Sequence, residues 1–211
     1  MPSSAAGRSD KHDGSAQTES LYHCLPQWCR EKTFACEFLP NYMECLEFVN
    51  ADLIAYGLSP PLVPERAAIR AGKIVLEQIH SLGRNQRDFG FESTLTGKTQ
   101  IRMLRDLKKN GDKIRIFYLW ISSVALAMER IADRVREGGY FVPEETVRRR
   151  FGKSLFNFIH FYRPLADTWH LFDNSSDIPV RVALYDGELT ILISKLYDRL
   201  SVFRGVDEKR S

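Results

Sequence analysis

The chain has 211 residues, a length that suits one α/β domain with a sizeable core and excludes two large domains. Its hydrophobic fraction of 44% is ordinary for a globular protein, and its net charge of +3 is too weak to indicate binding to nucleic acid. No apolar run approaches the roughly 20 residues that a membrane span needs, so we expect neither a nucleic-acid nor a membrane partner.

The two ends of the chain differ in composition from its middle. Residues 1–20 are mostly Ser, Ala, Gly and charged residues, and they lack the apolar centre of a signal peptide. We therefore expect a disordered N-terminal tail and a cytoplasmic location. A single domain is predicted over residues 21–203, with a short polar tail over 204–211.

All four cysteines lie early in the chain, at Cys24, Cys29, Cys36 and Cys45. They are separated by four, six and eight residues, which differs from the paired C-x-x-C spacing of zinc sites. No metal site is predicted from them.

Strand-like apolar runs alternate with amphipathic helical stretches, which predicts βαβ units around a parallel sheet. In the first half we predict a strand, a helix, a short strand and a helix, over residues 45–54, 65–82, 88–95 and 98–109. The second helix should end at Asn110-Gly111, a common stop signal.

The nearly continuous apolar run from Lys113 to Ile121 is the strongest strand signal and suits the centre of a parallel sheet. The elements predicted after it are two helices, a strand and a closing helix, over residues 123–136, 143–162, 180–184 and 189–203. The aromatic residues that end the second of these helices, Phe156, Phe158, Phe161 and Tyr162, are expected in the core. The predicted fold is a three-layer α/β domain with a mostly parallel sheet.

Several separate motifs follow one another along the chain: Thr33-Phe34-Ala35, Phe48-Val49-Asn50-Ala51-Asp52, Phe89-Gly90-Phe91-Glu92-Ser93-Thr94-Leu95, Glu129-Arg130, Gly138-Gly139-Tyr140 and Pro143-Glu144-Glu145. Their order and spacing resemble the zeta-toxin family of P-loop kinases, in particular its small stand-alone bacterial members, over roughly residues 21–186. The resemblance implies a P-loop NTPase-like domain that uses ATP and Mg²⁺ to phosphorylate a hydroxyl of a small molecule, such as UDP-N-acetylglucosamine. It also implies an antitoxin protein as a candidate partner.

The resemblance assigns roles to three residues near the predicted strand ends. It makes Asp52 the general base that takes the proton of the acceptor hydroxyl. The alternative is an Asp that caps a helix or stabilises a turn. It places Glu92 and Thr94 against the acceptor, where the alternative is a solvated strand end with a capping Thr.

Phosphoryl transfer needs cations on the migrating group, and an arginine can grip that group through two hydrogen bonds. Among the arginines of residues 130–150, Arg130 and Arg134 are the first choices for catalytic cations and Arg148 for contact with the nucleotide, and the Gly138-Gly139 link predicts a lid. The alternative is a solvated basic face whose arginines pair with nearby glutamates, namely Glu129, Glu137, Glu144 and Glu145.

At the phosphate loop the chain departs from the family, whose pattern there is Gly-Pro-Asn-Gly-x-Gly-Lys-Thr-Thr. No glycine occurs between Gly14 and Gly57, although a phosphate loop needs glycines so that its backbone N–H groups can wrap the phosphates. The positions of the family's glycines are taken by Leu25, Trp28 and Arg30, and that of its lysine by Glu31.

Lys32 and Thr33 are then the remaining candidates for contact with the nucleotide. A carboxylate where a cation should meet the phosphates is repulsive. We therefore expect weak ATP binding. A catalytically inactive binding module, or a pseudogene product, is the alternative to a kinase.

A reading-frame hypothesis accounts for this loop. One reverse translation of His23 to Lys32, CAT TGC CTG CCC CAA TGG TGC CGG GAA AAA, gives Ile-Ala-Cys-Pro-Asn-Gly-Ala-Gly-Lys when it is read from its second base. Because Trp has a single codon, Trp28 followed by Cys29 forces a glycine in the shifted frame. Two compensating frameshifts, in the gene or in its sequencing, are thus the alternative to ordinary divergence, and the coding DNA decides between them.

Overall fold

The apolar run at residues 113–120 forms a strand inside a five-stranded sheet in the computed structural model, which describes residues 19–24, 47–58, 64–137 and 141–203. In spatial order the strands are β1 (Glu19–Cys24), β4 (Lys113–Trp120), β5 (Thr168–Asp173), β6 (Val180–Asp186) and β7 (Leu189–Ile191). β4 pairs in parallel with β1 and with β5, whereas β6 and β7 are added as antiparallel strands.

A second, parallel pair of strands continues this arrangement beyond β1. It consists of β2 (Glu47–Val49) and β3 (Phe89–Phe91), and β3 lies beside β1. The spatial order is therefore β2-β3-β1-β4-β5-β6-β7. Since three strand pairings are parallel and two are antiparallel, the predicted mostly parallel sheet with a central β4 is confirmed.

Helices connect and cover these strands. They are α1 (Ala51–Leu58), α2 (Pro64–Arg84), α3 (Lys98–Lys109), α4 (Val124–Arg136), α5 (Glu144–Asn157), a π-helical segment (Phe158–Tyr162) and α6 (Ser194–Ser201). The predicted helix over 98–109 is confirmed to the residue. It ends there because Gly111 adopts φ +97° and Asp112 N–H donates 3.2 Å back to Leu107 O, a Schellman-type stop.

The core lies on both faces of the sheet, as the nearly continuous apolar run of β4 predicts. One face of β4 presents Ile114, Ile116 and Tyr118 to a cluster that includes side chains of α2, α3, α5 and α6. Phe117 and Leu119, on the other face, are also buried. Burial on both faces makes the fold a three-layer α/β arrangement. No helix in the described part of the chain is both long and apolar enough to cross a membrane.

Two predicted elements differ from the structure most clearly in their bounds. The strand predicted over 45–54 stops at Val49, because Asn50 caps α1 and the chain is helical from Ala51. The closing helix predicted over 189–203 begins only at Ser194. Gly187, with φ +80°, instead turns the chain back so that Leu189–Ile191 pairs with β6 as β7.

Strand β5 is absent from the sequence-based prediction. Its buried Trp169 and Leu171 alternate with the polar Thr168 and His170, and the strand follows the aromatic π-helical segment after a turn of a few residues. The alternation is short, and nothing in the sequence marks it as a parallel neighbour of β4.

Of the predicted N-terminal tail, Glu19 and the following residue belong to β1, and residues 1–18 lie outside the described residues, as do 204–211.

Candidate active site

The strand order identifies a topological switch point at the carboxyl ends of β1 and β3. From β1 the chain continues to β2, toward one edge of the sheet. From β3 it continues to β4, toward the opposite edge. Adjacent strands whose connections diverge in this way form a topological switch point, where open α/β sheets bind ligands. Glu92, directly after β3, lies at this switch point.

Asn50 joins the two predicted acceptor-side segments. Its side-chain oxygen accepts a hydrogen bond from Leu53 N–H over 3.0 Å and so caps α1. Its side-chain amide donates to Glu92 Oε2 over 3.1 Å in a half-buried setting. One side chain therefore ties the start of α1 to the end of β3, in accord with the parallel register that sets Val49 opposite Phe91.

Asp52 lies in the first turn of α1, two residues beyond this cap. It is therefore a helical residue and not the end of a strand, which corrects the expectation drawn from the strand predicted over 45–54. A carboxylate in a first helical turn is favoured by the positive end of the helix dipole, which also fits the alternative of an Asp that stabilises a helix start. The structure brings its backbone close to the Asn50–Glu92 contact.

The segment Glu92–Gly97, which we name the 92–97 loop, runs from β3 to α3 and is held by its own hydroxyls. Ser93 Oγ accepts from Leu95 N–H over 3.0 Å and donates a short hydrogen bond to Gln100 Oε1. Thr94 Oγ1 is half-buried and lies 2.8 Å from Thr96 Oγ1. Glu92 and Thr94 thus belong to one structured loop.

Arg130 and Arg134 lie on α4, the helix that follows β4, and both are half-buried. Arg130 Nη2 donates to Ser176 O, in the loop after β5, over 3.3 Å. Its Nη1 is buried and has no hydrogen-bond partner among the described residues. Burying a guanidinium nitrogen without a partner is costly, so an anion is the group that would suit this position.

Arg148 occupies a different setting, on the exposed side of α5. Its Nε donates to Glu144 Oε1 over 2.8 Å, and its Nη2 makes an ion pair with the same oxygen. This is the glutamate pairing of a solvated basic face. Lys32 and Thr33, the other candidates for nucleotide contact, lie outside the described residues, as does Gly138-Gly139 of the expected lid.

The residues present fit the implied ATP only in part. The buried Nη1 of Arg130 suits a phosphate oxygen. The resemblance sets Trp28 and Glu31 at a glycine and at the lysine of the phosphate loop, where an indole would crowd a backbone cradle and a carboxylate would repel the phosphates. Within the described ranges no group of three or more His, Cys, Asp or Glu side chains is arranged to hold a metal ion.

A curated relative decides the family. No protein-family model matches the chain. An uncharacterized protein of Haemophilus influenzae is 32% identical over 103 residues, which cover 49% of this chain and 73% of the relative. The chain belongs to the family of this Haemophilus protein.

Solved structures identify the fold shared by this family member. A chain in the crystal structure of AvrRxo1-ORF1:-ORF2 with ATP matches at a TM-score of 0.71 and 14% identity, over 92% of this chain and 67% of that one. A structure from the PezAT chromosomal toxin-antitoxin system of Streptococcus pneumoniae matches at 0.65 and 11% identity, over 90% and 81%. The chain therefore shares the fold of these two structures.

The sequence did not identify the side chains that hold Glu92 and the rest of the 92–97 loop in place. Asn50 was part of a recognised motif, yet its bond to Glu92 joins positions 42 residues apart and has no local signal. Asn157 and Tyr162, which contact the 92–97 loop, lie 62 to 65 residues from their partners. The position of Asn157 inside an aromatic stretch, between Phe156 and Phe158, was a visible hint, since a buried Asn needs partners.

Proposed function

We propose that the chain is a phosphotransferase of the zeta-toxin type. Asp52 takes the proton from an acceptor hydroxyl, and Glu92 and Thr94 hydrogen-bond the acceptor. The observation that carries the proposal is the hydrogen bond from Asn50 to Glu92. It ties the turn that contains Asp52 to the end of β3 at the switch point, and a positioned carboxylate there can serve as a general base.

Arg130 and Arg134 supply the cations for the migrating phosphoryl group in this proposal. The buried Nη1 of Arg130 supports it, because a buried donor of this kind is satisfied by an anionic oxygen. The exposed ion pair of Arg148 with Glu144 gives less support to its predicted nucleotide contact. The acceptor is a hydroxyl-bearing small molecule of the UDP-sugar class, and the nucleotide is ATP with Mg²⁺.

The residues that replace the glycines and lysine of the phosphate loop favour a second candidate function. In that case the chain is an acceptor-binding module that has lost phosphoryl transfer. Trp28, Arg30 and Glu31 support it, because they remove the backbone cradle and reverse the charge at the lysine position.

An antitoxin-type protein is the proposed macromolecular partner. The similar structures support it, since one contains AvrRxo1-ORF1 together with ORF2 and the other belongs to the PezAT toxin-antitoxin system. A gene for a small protein next to the coding sequence, whose product co-purifies with this chain, is the expected finding.

The test is phosphoryl transfer by a repaired chain. Residues 23–32 are replaced by Ile-Ala-Gly-Pro-Asn-Gly-Ala-Gly-Lys-Thr, and transfer of labelled γ-phosphate from ATP to UDP-N-acetylglucosamine is followed. The repaired chain should transfer phosphate, and Asp52→Asn in the same background should abolish transfer while ATP still binds. A repaired chain that binds both compounds but transfers nothing would favour the binding module.

A further inference from the structure

The 92–97 loop is held from outside by two side chains, one at the end of α5 and one at the end of the π-helical segment. Asn157, the last residue of α5 and 5% exposed, donates from Nδ2 to Leu95 O over 2.6 Å. The hydroxyl of Tyr162, at the end of the π-helical segment, lies 3.3 Å from Gly97 O and 3.5 Å from Gln100 Oε1. Gln100 in turn accepts the hydroxyl of Ser93. The loop is thus tied at its start, middle and end.

The backbone at Leu95 shows what these ties oppose. Leu95 has φ +54°, a left-handed conformation that is unfavourable for a residue with a branched side chain, and its side chain is only 1% exposed. Strain of this kind persists only where the surroundings over-determine the conformation, and it is concentrated at functional sites. The bond from Asn157 to Leu95 O acts at the strained residue itself.

The segment that carries these two side chains packs into the hydrophobic core, where Phe158 and Tyr162 belong to the same buried cluster as Tyr118. The phenol ring of Tyr118, on β4, stacks on Phe158 with ring centroids 4.2 Å apart and an angle of 9° between the planes. At Phe158 the α-helix gives way to the π-helical segment, a local widening that often occurs at functional sites. The change of helix type lets Asn157 and Tyr162, five residues apart, reach the same loop.

We propose that Asn157 and Tyr162 are positioning residues that fix the 92–97 loop and thereby set the affinity for the acceptor. The inference rests on the proposed function, because that function places Glu92 and Thr94 against the acceptor. Asn50 holds Glu92 from one side, and Asn157 and Tyr162 hold the remainder of the loop from the other. Loosening the second set frees Thr94 and lets Leu95 relax, so the acceptor must reorder the loop when it binds.

The experiment compares two tyrosines that differ in what their hydroxyls contact. Tyr162→Phe removes the hydroxyl at the loop, whereas Tyr118→Phe removes one that lies 3.2 Å from Ser154 Oγ. The two tyrosines are buried alike, at 1% and 2% exposure, so the two variants each remove one hydroxyl from a buried residue. Asn157→Ala is the stronger loop variant. In each full-length variant, backbone hydrogen exchange over residues 92–97 and calorimetric binding of UDP-N-acetylglucosamine are measured.

We expect Tyr162→Phe to speed exchange over the 92–97 loop and to weaken binding of the sugar nucleotide about five- to tenfold, the scale of one lost hydrogen bond. Tyr118→Phe should change neither quantity by more than about twofold. Equal effects of the two variants, or unchanged exchange in Tyr162→Phe and Asn157→Ala, would overturn the inference.

A separate outcome concerns the acceptor class alone. If the unaltered chain does not bind UDP-N-acetylglucosamine while loop exchange still responds only to Asn157→Ala and Tyr162→Phe, then these residues hold the loop and the sugar-nucleotide acceptor of the proposed function is wrong. If binding is present and loop exchange is unmoved, the proposed acceptor stands and the positioning role fails.

Discussion

The side-chain amide of Asn50 donates a hydrogen bond to Glu92 Oε2 over 3.1 Å while its oxygen accepts from Leu53 N–H. Through its amide nitrogen and its oxygen, this side chain thus links the start of α1 to the end of β3. Two residues that sequence analysis treats as separate, Asp52 and Glu92, are thereby brought to one end of the β2–β3 pair. A change at Asn50 can therefore act on stability and on the proposed acceptor site through different atoms.

We predict that Asn50→Ala lowers the free energy of unfolding by about 1–2 kcal/mol, because it removes a helix N-cap and leaves Glu92 without this donor. Asn50→Ser should lower the free energy of unfolding by less, since a serine oxygen also caps a helix. This variant still loses the amide that donates to Glu92. Urea denaturation followed by circular dichroism measures both changes.

Ser123→Ala provides the matched control for the cap. Ser123 Oγ caps α4 by accepting from Leu126 N–H over 3.1 Å. The control should lose about 1 kcal/mol of stability and leave acceptor binding unchanged. Both Asn50 variants should weaken acceptor binding. If Asn50→Ser binds the acceptor as the unaltered chain does, the hydrogen bond from Asn50 to Glu92 has no role in the site.

A second prediction concerns Gln86, which follows the end of α2. Gln86 is exposed and has φ +49°, and Arg87 N–H donates to Leu82 O over 3.1 Å, so it occupies the left-handed position of a Schellman motif. Gly111 fills the same position after α3. Gln86→Gly should raise the free energy of unfolding by about 0.5–1 kcal/mol, because glycine removes the steric cost of this conformation.

Two comparison variants test the reason for that gain. Gln86→Ala keeps a Cβ in the left-handed conformation and should bring no gain, and Gly111→Ala should lose about 1 kcal/mol. Thermal and urea denaturation give the values. A stabilising effect of Gln86→Ala equal to that of Gln86→Gly would show that the backbone conformation is not the cause.

The contrast between these two helix ends shows what the sequence could predict. Asn110-Gly111 is a stop signal that can be read locally, and α3 ends within one residue of it. The apolar run of β4 likewise needed no partner to be recognised as a central strand. Gln86 ends α2 without the glycine that usually marks such a position, so the predicted end at residue 82 came two residues early.

What could not be predicted depends on contacts between distant parts of the chain. β5 becomes a strand because it pairs with β4, and its alternation of Trp169, His170 and Leu171 is too short to show this alone. The arginines of α4 and α5 look equivalent in sequence, yet Arg148 is paired with Glu144 while Arg130 reaches Ser176. The hydrogen bond from Asn50 to Glu92 and the left-handed conformation of Leu95 have no sequence signature at all.

A third prediction concerns His170, which stacks on Phe117 with ring centroids 4.8 Å apart. Burial, then the positive charges of Arg181 and Arg115, lower the pKa of His170 to about 4 from an ordinary 6.5 in spite of Asp186 nearby. The unfolded chain therefore binds more protons between these two pH values, and stability falls as the pH falls through this window. Discounted for partial exposure, the loss amounts to about 2 kcal/mol.

His170→Gln should flatten this dependence. Urea denaturation at several pH values between 7 and 4 should show a smaller loss of stability for this variant than for the unaltered chain. His160→Gln is the matched control, because His160 is exposed, and it should leave the slope unchanged. An identical pH slope in His170→Gln and the unaltered chain would remove His170 as the source.

The last prediction is that the chain as written binds ATP weakly. The resemblance drawn from the sequence sets Glu31 at the lysine position of the family pattern, and Trp28 and Arg30 at two of its glycine positions. The lost contacts are charge-assisted hydrogen bonds that contribute roughly 1.5–3 kcal/mol each. Losing two of them weakens binding by about a hundredfold or more, since 1.4 kcal/mol corresponds to a factor of ten.

Calorimetry with ATP and Mg²⁺ on the unaltered and the repaired chain measures the difference directly. The chain repaired over residues 23–32 should bind ATP about a hundredfold more tightly or better. Glu31→Lys in the unrepaired chain is the matched control, because it supplies the charge without the glycines. It should recover only part of the affinity, since a backbone cradle for the phosphates needs glycines where this sequence has Trp28 and Arg30. Micromolar binding by the unaltered chain would mean that Lys32 and Thr33 already serve the phosphates, and that the glycines of the family's loop are dispensable in this chain.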